Sequence, residues 1–93
     1  MEKQLTDLTI FEGYQNRQVI LNYYQDDDDL WKRDGFHFAS IQLANEKLLF
    51  LKKDGSTSQI ALQEYKTIAS NSDFQNYYVF HYDAHTRLEI YFP

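Results

Sequence analysis

From Gln18 onward, apolar and polar residues tend to alternate, and a period of two is the pattern of strands that put one face into a core. Gln18-Val19-Ile20-Leu21-Asn22-Tyr23-Tyr24, β-branched and aromatic, predicts a strand that stops at residues 26–29, where four aspartates repel one another and favour solvent. Gly35 opens a second strand, residues 36–43, with Phe36, Phe38 and Ile41 on its buried side. Ala44-Asn45-Glu46 reads as a turn. Residues 47–52 are apolar on both faces, which predicts a central strand covered on both sides. Lys53-Asp54-Gly55-Ser56 is the strongest hairpin signal, because Asp-Gly suits the positive φ of a tight primed turn. Residues 59–62 return as a strand, and Tyr65 and Ile68 continue on a short helical turn or an irregular segment.

A polar break at residues 69–73 precedes two further strands, Tyr77–Tyr82 and Arg87–Phe92, joined by the loop Asp83-Ala84-His85-Thr86. In the last strand Leu88, Ile90 and Phe92 face one way and Arg87, Glu89 and Tyr91 the other. Residues 2–12 admit two readings. Leu5, Leu8 and Phe11 follow helical spacing up to Gly13, whereas Thr9 and Ile10 favour a first strand. The sum is one small all-β domain over residues 1–93, with or without a short N-terminal helix. It is expected to be a five- to six-stranded antiparallel barrel or a strongly twisted sheet.

Composition narrows the function classes. The chain of 93 residues has no cysteine, which removes disulfide scaffolds and thiolate chemistry and suits a reducing, cytoplasmic setting. No apolar stretch approaches a membrane span. Net charge is -5, yet residues 31–53 are basic, with Lys32, Arg33, Lys47, Lys52 and Lys53 against Asp34 and Glu46. With Trp31, those five cations are the candidate surface for single-stranded nucleic acid, the alternative to a solvated face balanced by neighbouring acids.

Aromatic residues make up 17% of the chain and crowd its C-terminal end, where Tyr77, Tyr78, Phe80, Tyr82 and Tyr91 exceed what one sheet face can bury. They mark either the core margin, a surface for a protein partner or a second copy, or a stacking platform. His81, Asp83 and His85 have the alternate spacing of metal ligands on an extended strand, but two of them fall in a loop, so no metal or other cofactor is expected. The aspartate run lacks the spacing of a calcium loop. No nucleophile motif, phosphate cradle or paired carboxylates in an apolar setting appear, and the expectation is a non-enzymatic, self-associating interaction module.

The order Val19–Tyr24, Gly35–Ile41, Lys47–Leu51, Asp54-Gly55 and Ile60–Ile68 resembles the YolD-like family of small bacterial proteins, and more loosely Sm-type five-stranded barrels. The resemblance covers residues 18–68. It implies a non-catalytic bacterial accessory protein, in that family loosely associated with error-prone DNA polymerases. The Sm-type version implies ring assembly and RNA binding. The chain departs from the family by lacking its N-terminal Arg-Gly and Lys-Trp stretch, by inserting residues 26–31, and by adding the aromatic C-terminal hairpin. Neither resemblance carries a residue-level site.

Overall fold

A computed structural model describes residues 2–93. The expected all-β class holds, with nine strands among the described residues. They are β1 (Glu2–Gln4), β2 (Arg17–Gln25), β3 (Asp29–Phe38), β4 (Ser40–Ala44), β5 (Lys47–Leu51), β6 (Thr57–Ala61), β7 (Thr67–Asn71), β8 (Tyr77–His81) and β9 (Arg87–Tyr91). Every pairing is antiparallel. One sheet has the order β1-β7-β8-β9-β2-β3 and the other β4-β5-β6, so the chain is a twisted pair of sheets and not a closed barrel.

The two sheets share one run of chain. Only Ala39 separates β3 from β4, and its N–H donates to the Leu51 carbonyl at 2.7 Å while its own carbonyl accepts from Asn16 at 2.9 Å. The corner resets the alternation, so Phe38 and Ile41, three residues apart, both enter the core. Between the sheets lie Val19, Leu21, Tyr78, Phe80, Leu88 and Ile90 from the larger one and Ile41, Leu48, Phe50 and Ile60 from the smaller. Each such side chain contributes about 1.5–3 kcal/mol on burial. Phe38 and Phe50 meet edge to face at 5.5 Å across the junction.

The helical reading of the N-terminus is the nearer one. Leu8–Gly13 form a 3-10 turn capped by the Asp7 carboxylate on Thr9 N–H at 3.0 Å, so Thr9 and Ile10 do not form the strand expected there. The first strand is residues 2–4, paired with β7. The bond from Thr9 N–H and the one from the Thr9 hydroxyl at 2.6 Å hold the Asp7 carboxyl below the usual carboxylate range. The turn delivers Phe11, fully buried, under Tyr78 at 4.7 Å.

Four details differ from expectation. The tight primed hairpin lies at Asn45-Glu46, whose φ angles are 52° and 58°, between the paired residues Ala44 and Lys47. At the Asp54-Gly55 position Gly55 alone is left-handed (φ 89°), and the loop is wider. There Gly55 N–H donates to Lys52 at 3.1 Å and Lys52 N–H to Ser56 at 2.9 Å. Strand β5 is central in its sheet but covered on one side, with Leu48 and Phe50 buried and Leu49 and Leu51 half-buried. The polar break at 69–73 is largely strand. β7 carries Ile68 and Ala69, both buried, and of its polar residues Ser70 pairs with both β1 and β8 and Asn71 with β1. Finally, β3 begins at Asp29, before Gly35, because residues 29–34 pair with β2.

Candidate functional site

The C-terminal aromatics divide between two faces, as alternation requires. Tyr78 and Phe80 point inward and are buried, so they belong to the core and not to the expected interaction surface. The Tyr14 hydroxyl donates to Asn76 Oδ1 at 2.9 Å, which leaves the Tyr78 hydroxyl to donate to Tyr14 at 2.6 Å. Burial pushes the Tyr14 phenol above its ordinary value.

Tyr77 and Tyr91 lie opposite one another on the outer face, their rings 6.2 Å apart. Phe74, in the loop before β8, extends the row at 5.4 Å from Tyr77 and is 61% exposed. Ile20, Asn22 and Arg33 complete a shallow depression there. Behind it Glu89 accepts hydrogen bonds from the Tyr77 hydroxyl and from Arg87 Nε, the latter at 2.7 Å. Asn22 Oδ1 is buried without a hydrogen-bond partner among the described residues.

Glu89 is mostly covered, its side chain 13% exposed. Burial and, next, the charge of Glu2 raise its pKa above the ordinary 4.5. The folded state therefore holds this proton more tightly than the unfolded state, and ionisation penalises the fold. Relative to a Glu89→Gln variant, wild type should lose stability as pH rises from the ordinary glutamate value through the raised one. Urea midpoints of both chains at about pH 4 and about pH 7 check this, and a parallel pair of midpoints would refute it.

The remaining expected interaction residue, Tyr82, continues the inward face of β8 past the end of the strand, where the smaller sheet no longer covers it. It joins Tyr23, Trp31, Tyr65, Glu64, Thr86 and Arg87 around a cleft of about 250 Å³. Tyr65 meets Tyr82 at 6.5 Å and 82°, and Tyr23 meets Trp31 at 5.7 Å and 52°. Trp31 reaches the cleft through a bulge. Tyr23 pairs with Lys32 and Tyr24 with Leu30, so Trp31 is the extra residue, re-aimed toward the Tyr23 side. Burial raises the Tyr23 phenol, with Asp34 adding to it. Burial, then Tyr23 and Glu64, push Tyr65 up to about 12.

The expected basic surface does not assemble as one stripe. Lys32 lies over the Tyr23 ring at 5.2 Å, Arg33 borders the outer depression, and Lys52 sits over Phe36 at 4.4 Å. Lys47 starts β5, at the far end from Lys52 and Lys53. The histidines also diverge. His81 Nε2 meets Glu2 at 2.7 Å and His85 Nδ1 meets Asp27 at 3.2 Å, while Asp83 accepts from the N–H groups of His85 and Thr86, each at 2.8 Å. Those backbone bonds keep the Asp83 carboxyl below its usual range. Among the described residues no three His, Cys, Asp or Glu side chains gather as a metal-sized group.

No family model, curated protein or solved structure matches this chain. No helix among the described residues is long and apolar enough to cross a membrane. Among the residues that shape the two surfaces, Phe74, Tyr23, Glu64 and Tyr65 escaped the sequence reading as site residues. Phe74 had a signal, a lone aromatic in the polar run Ser70 to Asn76. Glu64 and Tyr65 had none, since only the register of β2 against β3 and β9 brings Tyr23 and Trp31 toward them.

Proposed function

We propose that this chain is a non-catalytic interaction domain that pairs with a second copy through the outer aromatic face of β2, β9 and β8. The observation that carries this reading is Phe74, 61% exposed and continuous with Tyr77 and Tyr91. Exposed rings with an arginine at their border resemble the centre of an interface more than ordinary surface. One patch meeting its own copy about a two-fold axis needs no second surface. The face is preferred to the β3 edge because β3 carries Lys32, Arg33 and Asp34 and a bulge at Trp31, features that blunt edge pairing.

The reading takes the cytoplasm as its setting and keeps the YolD-like and Sm-like resemblances as proposals. The hairpin β8–β9, lying between β7 and β2, is an addition to any five-stranded plan. Sedimentation equilibrium tests the reading. Wild type is expected at twice 11.2 kDa, and Phe74→Glu, which alters an exposed side chain, at the monomer mass with an unchanged far-ultraviolet spectrum. A wild-type monomer at all concentrations, or a dimer indifferent to Phe74→Glu, would overturn it.

A further inference from the structure

Four rings from four separate segments enclose the cleft at the uncovered end of the inner face, away from the proposed pairing surface. Tyr23 comes from β2, Trp31 from the β3 bulge, Tyr65 from the link after the 3-10 turn Leu62–Glu64, and Tyr82 from beyond β8. We propose that this cleft binds a methylated ammonium group.

The angles decide between a platform and a cage. Rings inclined at 82° and 52° make walls around a small volume, whereas a base needs a flat stacking surface. Ring faces are electronegative and attract cations, most strongly where water is excluded. The phenols of Tyr23 and Tyr65 are held protonated by burial, so the attraction comes from ring faces and from the carboxylate of Glu64 on the lining.

Two cations of the chain bear on the cleft. Arg87 is already engaged by Glu89, by the Asp27 carbonyl and by the Tyr24 ring at 4.2 Å. Lys32 rests over Tyr23 at 5.2 Å but is not on the cleft's lining. A bare ammonium keeps its water, because aromatic walls cannot replace three strong hydrogen bonds. A methylated one presents apolar methyl groups to the rings and has far less hydration to lose. The cleft's 250 Å³ lies below the roughly 300–1,000 Å³ of drug-sized sites, which suits a head group.

Trp31 is the sole tryptophan and a built-in reporter. The intact chain is titrated with choline and with Nε-trimethyl-lysine, and in parallel with 3,3-dimethylbutanol, the uncharged analogue of choline, and with glucose and AMP. Saturable changes in Trp31 emission are expected for the methylated cations, with the uncharged analogue at least about tenfold weaker. The tighter of the two cations tells a small molecule from a modified side chain. Tyr82→Leu should weaken binding about tenfold and Glu64→Gln by less, with melting temperatures unchanged, because Tyr82 is half exposed. Tyr91→Lys, on the other face, should leave the titration as it was, which separates this site from the pairing surface. No saturation by about 0.1 M, equal binding of the uncharged analogue, a preference for glucose or AMP, or full affinity in Tyr82→Leu would each overturn the proposal.

Discussion

Phe92→Ala is expected to cost about 3–5 kcal/mol, a large share of the roughly 5–14 kcal/mol that holds a chain of this length. The Phe92 ring is 1% exposed, stacked on Tyr14 at 3.9 Å and 6°, and within 5.9 Å of Phe38 and 6.1 Å of Tyr78. It thereby joins β9 to β3, to β8 and to the segment after the first 3-10 turn. The backbone fixes it there: Phe92 N–H donates to Asn76 at 3.0 Å, and Arg17 Nη2 donates to the Pro93 carbonyl at 3.0 Å. Removing the ring leaves a cavity that four elements would have to collapse to fill. The melting temperature should fall by more than about 12 °C, and Phe92→Leu by less. A loss below about 1 kcal/mol in urea titration would mean that Phe92 is no core residue.

Phe80→Glu is expected to leave the chain unfolded at neutral pH. Phe80 is fully buried, with Tyr65 at 5.5 Å and Phe11 at 5.8 Å around its ring. No positive side chain is available there to pair with a carboxylate, and burying an unpaired charge costs several kcal/mol on top of the lost packing. Tyr78→Lys fails for a related reason, because it also removes the hydroxyl that bonds Tyr14. Tyr91→Lys, on the neighbouring strand β9 but on the outer face and 38% exposed, should fold and lower only the dimer mass. The contrast is read in far-ultraviolet circular dichroism. A folded Phe80→Glu chain would show that the inward assignment of β8 is wrong.

The two faces of β8 explain how far the sequence could be read. Alternation in Arg87–Phe92 placed Leu88, Ile90 and Phe92 together, and all three are buried. The same rule applied to β8 separates Tyr78 and Phe80 from Tyr77, although the candidate interaction surface grouped Tyr77, Tyr78, Phe80, Tyr82 and Tyr91 from both faces. β7 was missed because Ser70 and Asn71 carry no strand signal of their own and are held by their neighbours, Ser70 by β1 and β8 and Asn71 by β1. The Asp-Gly turn was located correctly and its class was not, since loop width depends on which residues pair across it.

By itself, the order of apolar and polar residues determined that the chain is all-β, where most strands run, and which side of the last one is core. Those are local facts, set by a two-residue period and by turn chemistry. Tertiary structure alone decided that Ala39 is a corner shared by two sheets, that the C-terminal hairpin lies between β7 and β2, and that Tyr23, Trp31, Tyr65 and Tyr82 surround one cleft. Pairing between distant strands and the bulge at Trp31 fix those positions. Such contacts are chosen by the free energy of the whole packed chain, which no short window of residues contains.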